Sequence, residues 1–121
     1  MPRPILLDNQ IHPAIRHEVE NHHLDIVQEV QAAIAAHAVV VVGMAMNPMP
    51  KRARASLDAA GVAHTYLEYG SYFNTWRKRN ALKMWTGWPT FPMVFVKGNL
   101  IGGAENLAAL IQSGELKKLL A

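Results

Sequence analysis

The chain has 121 residues, of which half are apolar and 17% are charged, with a formal net charge of +3. This length supports one domain with a single core, and the mild positive charge, without a recognised module, argues against a nucleic-acid partner. The sequence contains no cysteine, which excludes disulfides, thiolate metal sites and catalysis by a protein thiol.

Hydropathy predicts neither a membrane span nor a leader peptide. No apolar run reaches the length of about 18 residues that a spanning helix needs, and the run at residues 39–42 is short and internal. The start of the chain, residues 1–4, lacks the charged-then-apolar order of a signal sequence. We therefore expect a cytoplasmic protein with no membrane partner.

Residues 1–23 are predicted to form an N-terminal extension. Early prolines and polar residues favour irregular structure up to about Pro13, and the apolar triplet at residues 5–7 is expected to pack against the domain. Residues 14–23 are weakly helical in pattern. Four histidines of this extension could share a helix face and bind zinc or copper, but no carboxylate or cysteine signature completes a site. We interpret them as exposed polar residues and predict no metal; they are His12, His17, His22 and His23.

The domain, residues 24–121, begins with a predicted helix, strand, helix and strand. Apolar residues recur at three- and four-residue spacing in residues 24–37, which predicts a helix with one buried stripe. Residues 39–44 are continuously apolar, as in a buried central strand. A helix is predicted at residues 48–60, ending at Gly61, and a strand at 62–69. Strand, helix and strand within about thirty residues predict a right-handed parallel crossover.

The second half of the domain contains a predicted basic helix and a β-hairpin. The helix covers residues 72–84, and the hairpin joins the apolar residues 93–96 to Leu100 and Ile101. The connection Lys97-Gly98-Asn99 includes a glycine that can take the positive φ of a tight turn. Two short helices, at 104–113 and 116–121, complete an α/β order with a four-stranded mixed sheet between helices.

The longest motif surrounds this hairpin. Trp88-Pro89-Thr90-Phe91-Pro92 precedes it, and Gly102-Gly103-Ala104-Glu105 follows it. Pro92 after an aromatic residue favours a cis bond. In order and spacing these residues resemble the glutaredoxin family, closest to its monothiol branch, and the resemblance extends from about His23 to the C-terminus. It implies a thioredoxin-like, three-layer α/β fold.

The resemblance places Asn47 where the family has its reactive cysteine. Pro48 and Met49 follow, and Pro50 stands at the position of the second cysteine or serine. An amide can neither attack a disulfide nor ligate iron, so we expect no thiol–disulfide exchange by the family mechanism and no iron–sulfur cluster. The residues themselves predict that Asn47 caps a helix beginning at Pro48. Because the two prolines remove backbone donors, anion binding at this helix start should be weak.

The resemblance also implies a glutathione site. Phe91 and Thr90 would line a strand edge against the ligand's main chain, and the amides after Gly103 would receive the γ-glutamyl carboxylate. Arg79 would receive the glycine carboxylate. The same proline and glycine features also stabilise the fold, so they would persist in a scaffold that binds nothing. The positions implied are Arg79, Thr90, Phe91, Pro92, Gly103, Ala104 and Glu105.

These features lead to one functional hypothesis with two alternatives. The main hypothesis is a cysteine-free pseudoenzyme that binds glutathione or a γ-glutamyl peptide, or a protein partner at a methionine-rich face formed by Met44, Met46 and Met49. One alternative is a non-redox, glutathione-dependent enzyme, for which the sequence shows no thiol-activating group near Asn47. The other is a purely structural interaction module that uses the histidine-bearing extension.

Overall fold

The computed structural model describes residues 3–121, so the first two residues of the predicted extension lie outside it. A short 3-10 turn at Asp8–Gln10 precedes the regular elements. Over the described residues the elements are α1 (Pro13–Asn21), α2 (Leu24–Ala36), β1 (Val39–Gly43), α3 (Pro48–Ala59), β2 (Thr65–Glu68), α4 (Trp76–Thr86), β3 (Met93–Val96), β4 (Asn99–Gly102), α5 (Ala104–Ser113) and α6 (Glu115–Leu120).

The four strands form one mixed sheet in the order β2-β1-β3-β4. Strand β1 pairs in parallel with β2, with Val41 opposite Tyr66, and antiparallel with β3, with Val41 opposite Val94. Its four valines are at most 2% exposed, because helices cover both faces of the sheet. Burial on both faces explains why β1 is continuously apolar in sequence. The predicted four-stranded mixed sheet is confirmed.

Two hydrophobic clusters lie on opposite faces of the sheet. On one face, α2 and α4 contribute Ile26, Val30 and Leu82. On the other, α3 and α5 contribute Leu57 and Leu107, and α6 adds Leu116. Alternate residues of β1 point into the two clusters, as the period of a strand requires. The arrangement of helices, sheet and helices confirms the predicted three-layer α/β fold.

The crossover from β1 to β2 runs through α3. Strand β2 is shorter than predicted. The strand was expected over residues 62–69, but β2 is Thr65–Glu68. The reason lies at the end of α3, where the amide of Val62 donates to the carbonyl of Leu57 at 2.9 Å. Gly61 follows with a φ of +71°, the left-handed conformation in which a glycine commonly terminates a helix.

Helix α4 begins at Trp76, four positions after the predicted start at Tyr72. A turn occupies the intervening residues, because the amide of Ser71 donates to Oδ1 of Asn74 at 3.0 Å. Thr75 then takes a left-handed conformation, with φ of +63°, immediately before the helix. The side chain of Asn74 therefore competes with helix formation at this position.

The hairpin between β3 and β4 follows the sequence prediction closely. Lys97 and Gly98 both have positive φ, at +48° and +83°, and form a two-residue turn. Asn99, expected within the turn, is the first residue of β4. The bond between Phe91 and Pro92 is cis, as expected.

The apolar triplet of the extension does not pack as expected. Ile5, Leu6 and Leu7 are each 63–67% exposed, so the expected contact with the domain was wrong. The start of the described chain approaches the domain through Arg3, whose Nη2 lies 3.5 Å from the carbonyl oxygen of Trp85. The division of the chain at residue 23 stays a prediction.

Two features are absent from residues 3–121. No helix there is long and apolar enough to cross a bilayer. No three histidine, aspartate or glutamate side chains in this part of the chain lie close enough together to hold a metal ion.

Candidate functional site

A cavity of about 530 Å³ lies where the start of α3, the loop before β3 and the start of α5 meet. Its volume is within the range usual for small-molecule sites. The turn before α4 and one side chain of α4 complete the wall. The lining residues are Met44, Asn47, Met49, Tyr72, Lys83, Trp88, Pro89, Thr90, Phe91, Pro92, Gly103, Ala104, Glu105 and Asn106.

The structure brings most of the predicted site residues to this one cavity. Of the positions implied for ligand binding, all except Arg79 line it. Asn47 and Met49, from the former active-site motif, line it as well. Pro50 is instead buried beneath, where a Cβ added to Gly43 would lie only 2.6 Å from the Cβ of Pro50. Pro48 is exposed at the first position of α3.

Asn47 forms two hydrogen bonds with its side-chain amide. Its Oδ1 accepts from the backbone amide of Met49 at 3.0 Å, so the predicted capping of α3 is confirmed. Its Nδ2 donates to the carbonyl oxygen of Phe91 at 3.3 Å, a contact that the sequence did not predict. The amide thus holds the start of α3 against the loop before β3.

Arg79 is placed differently from the expectation that it receives a ligand carboxylate. Its side chain is buried, and Nη1 donates to the carbonyl oxygens of Tyr69 at 3.0 Å and Asn74 at 2.7 Å. Burial lowers the pKa of its guanidinium below the usual value. Arg79 therefore holds the turn that carries Tyr72, and it does not line the cavity.

Lys83 is the cation that lines the cavity. It lies one helical turn after Arg79 on α4, and its Nζ is 5.8 Å from the centroid of the Phe91 ring. Sequence reasoning missed Lys83, although its spacing of four residues from Arg79 places both on the same side of a helix. A carboxylate next to Phe91 would be within reach of this ammonium group.

The start of α5 also borders the cavity. The amide of Gly103 donates to Oδ1 of Asn106 at 3.0 Å, whereas the amides of Ala104 and Glu105 occupy helix positions that have no acceptor within the helix. Aligned peptide dipoles add partial positive charge there. Gly102 has φ of +113° and leaves no room for a Cβ, which would lie 2.6 Å from Cγ of Asn106. This backbone therefore requires glycine.

The indole of Trp88 contributes an unused donor. Its Nε1 is buried and has no hydrogen-bond partner among the described residues. A Cβ built on Gly103 would lie 3.8 Å from this nitrogen, which places the donor beside the start of α5. Buried N–H groups are nearly always paired, so this one indicates an acceptor supplied by water or by a ligand.

Known proteins show the same fold and sequence pattern. The family profile described as glutaredoxin matches residues 39–101. A glutaredoxin-like protein of Dictyostelium discoideum is 46% identical over 98 residues, covering 81% of this chain and 80% of that protein. A probable monothiol glutaredoxin 2 of Rickettsia typhi is 33% identical over 107 residues, covering 84% of this chain and 91% of that protein.

Solved structures agree with these sequence relatives. Buckwheat glutaredoxin in complex with glutathione superposes with a TM-score of 0.73 at 25% identity, covering 84% of this chain and 92% of that one. Oxidized glutaredoxin 2 from Chlamydomonas reinhardtii superposes with a TM-score of 0.70 at 28% identity, covering 81% of this chain and 92% of that one. Taken with the cavity at the start of α3 and α5, these matches show that the chain belongs to the glutaredoxin family.

Proposed function

We propose that this chain binds glutathione, or a closely related γ-glutamyl peptide, in the cavity described above and performs no thiol–disulfide exchange. The observation that carries the proposal is that two anion-receiving groups border one cavity. Lys83 and the amides at the start of α5 both line it together with Phe91, and the Lys83 Nζ lies 5.8 Å from the centroid of the Phe91 ring. The resemblance to a glutaredoxin that was solved with glutathione supports the same ligand.

The charges of the cavity suit those of glutathione. The tripeptide carries two carboxylates and one ammonium group at neutral pH. The α5 amides and the Trp88 Nε1 donor suit the carboxylate of the γ-glutamyl group, and the exposed carboxylate of Glu105 suits its ammonium group. Lys83 is then available for the glycine carboxylate.

The main chain of the ligand would pair with the backbone at Phe91, as an added strand does. The carbonyl oxygen of Phe91 already accepts from Nδ2 of Asn47 at 3.3 Å. A carbonyl oxygen has two lone pairs, so it can accept a second donor from the ligand. Asn47 therefore shares this acceptor with the ligand and does not block it.

The donor set does not fit the redox chemistry of the family. Cluster ligation and disulfide attack both need a thiolate, and the position that would supply it holds the amide of Asn47. We propose accordingly that the chain holds no iron–sulfur cluster through its own residues.

A protein partner at the same face is a second candidate, because exposed apolar residues adjoin lining residues of the cavity in the chain. Met46 is 64% exposed, and Phe73, next to the lining residue Tyr72, is 82% exposed. Exposed apolar residues grouped around a site often mark an interaction surface. A protein that carries a glutathionyl group would use both the cavity and its rim.

Isothermal calorimetry with a ligand series tests the proposal. We expect saturable one-to-one binding of reduced glutathione, weaker binding of γ-glutamylcysteine, which lacks the glycine carboxylate, and weaker binding of cysteinylglycine, which lacks the γ-glutamyl group. Absence of saturable binding at millimolar glutathione would overturn the proposal. Equal binding of all three ligands would overturn the assignment of the two carboxylate positions.

A further inference from the structure

We propose that the cavity prefers glutathione whose sulfur carries an apolar substituent through a thioether bond over glutathione with a free thiol. This inference rests on the proposed function, because it assumes that the tripeptide lies between Lys83 and the start of α5. It goes further by naming the class of ligand, an apolar S-conjugate.

The first observation is the fixed amide at position 47. In the proposed pose the ligand's sulfur lies beside the position that Asn47 occupies. Both polar atoms of that amide are engaged, Oδ1 with the amide of Met49 at 3.0 Å and Nδ2 with the carbonyl of Phe91 at 3.3 Å. No protein sulfhydryl is present to form a disulfide, so a free thiol on the ligand gains no covalent partner here.

The second observation is the apolar wall next to that amide. Met44 is 6% exposed and Met49 is half-buried, and both line the cavity within three positions of Asn47 in the chain. Two backbone bonds join the turn carrying Tyr72 to this segment of the chain. The amide of Ala45 donates to the carbonyl of Gly70 at 2.7 Å, and the amide of Tyr69 donates to the carbonyl of Gly43 at 2.9 Å.

The cavity therefore has apolar lining residues in addition to the groups that suit the tripeptide. Lys83 and the start of α5 supply the charged and donor groups, while Met44, Met49 and Tyr72 also line the cavity. Met44 and Met49 lie within three positions of Asn47 in the chain. Methionine side chains are unbranched and polarizable, and they adapt to apolar groups of varied shape. Met46, which precedes Asn47 in the chain, is 64% exposed. A substituent on the ligand's sulfur would be removed from water along this wall.

The test is calorimetric titration of the full chain with reduced glutathione, S-methylglutathione and S-hexylglutathione. We expect S-hexylglutathione to bind at least about tenfold more tightly than reduced glutathione, with S-methylglutathione between them. S-hexylcysteine, which lacks the γ-glutamyl and glycyl groups, serves as the control for nonspecific apolar binding and should bind more weakly than either conjugate.

Three variants test whether Met49 contacts the substituent on the ligand's sulfur. Met49→Gln has nearly the same shape but is polar, and it should reduce the ratio of the S-hexylglutathione affinity to the glutathione affinity to near one. Met49→Leu should keep the ratio high. Gln112→Ala, on the exposed side of α5, should leave both affinities as in the wild type.

The outcomes separate this inference from the proposed function. If glutathione binds but the S-hexyl conjugate binds no better, the inference is overturned and the proposed function stands. If neither ligand binds, the proposed function itself fails. Equal affinities for S-hexylglutathione and S-hexylcysteine, or equal ratios in Met49→Gln and Met49→Leu, would also overturn the inference.

Discussion

The side-chain amide of Asn47 links the start of α3 to the carbonyl oxygen of Phe91, 3.3 Å from its Nδ2. The same amide caps α3 by accepting from the backbone of Met49. A residue at the position of the family's reactive cysteine therefore has a structural role here, because it joins two of the three segments that form the cavity.

The two bonds of Asn47 predict a graded loss of stability. Asn47→Ala removes both bonds and should lower the free energy of unfolding by about 1 kcal/mol, the usual effect of losing an N-cap. Asn47→Ser keeps a capping oxygen and should lower it less. Urea denaturation measures both values, with Gln112→Ala as the exposed control, for which we expect a change within about 0.5 kcal/mol. If alanine and serine destabilise equally, the cap contributes nothing measurable.

Lys83 should control glutathione affinity through its charge. Lys83→Gln should weaken binding by about tenfold, and raising the salt concentration should weaken wild-type binding more than variant binding. Lys118→Gln is the matched control, because Lys118 is exposed on α6, outside the cavity, and pairs with Glu115 at 3.8 Å. Equal affinities of the Lys83 and Lys118 variants would show that Lys83 does not contact the ligand.

The Nε1 of Trp88 predicts a substitution that lowers ligand affinity and leaves the stability of the fold nearly unchanged. Trp88→Phe removes a donor that has no partner among the described residues and keeps an aromatic ring against the core, so it should weaken glutathione binding several-fold with little change in stability. Trp85→Ala, which removes the ring that stacks on Phe95, is the opposite control. Trp85 stacks on Phe95, with ring centroids 6.1 Å apart, so its loss should lower stability and leave affinity nearly unchanged. Calorimetry and urea denaturation on both variants measure the two quantities.

Arg79 should affect stability first. Arg79→Gln leaves the carbonyl oxygens of Tyr69 and Asn74 without their donor, which should lower the free energy of unfolding by about 1–3 kcal/mol. Arg79→Lys, which keeps a charged donor, should lower it less. A variant of normal stability with strongly reduced glutathione affinity would instead favour the direct carboxylate contact that the family resemblance implies.

Two tyrosines should make the fold sensitive to alkali. Burial, reinforced by the hydrogen bond to Glu68, raises the pKa of Tyr66 from 10.0 to about 12. Burial and a hydrogen bond to Glu29 at 2.8 Å raise the pKa of Tyr69 as well. The unfolded chain loses these protons at lower pH than the folded chain does. Their contribution is therefore complete below pH 10 and declines as the pH rises toward 12.

Denaturation of the wild type and a Tyr66→Phe, Tyr69→Phe double variant at about pH 9 and about pH 11 checks this. The wild type should lose more stability between the two conditions than the variant does. Equal losses would show that other groups determine the alkaline response.

Local sequence chemistry predicted several elements correctly. The turn at Gly98, the cap at Asn47 and the cis bond before Pro92 each depend on residues within a few positions of one another, and all three are present. Strand β1 was also predicted correctly, because a strand that is buried on both faces is apolar at every position and shows no alternation of apolar and polar residues.

The features that the sequence did not predict depend on contacts between distant segments. Arg79 faces inward because the turn at residues 69–74 covers it, and no local pattern shows that turn folding over the helix. The Nε1 of Trp88 is buried next to Gly103, fifteen positions later, and no local pattern predicts that closeness. The triplet at residues 5–7 is apolar yet exposed. Its composition alone could not show whether these side chains are exposed or pack against the domain.

The most direct test of the central claim, that a ligand site exists here without a protein thiol, is an amide NMR titration with reduced glutathione. We expect saturable shifts at Phe91, Gly103, Ala104 and Glu105 and at the indole N–H of Trp88, with Lys118 on α6 unmoved. The claim would be contradicted by spectra that do not change at millimolar glutathione, or by saturable shifts confined to residues outside the cavity.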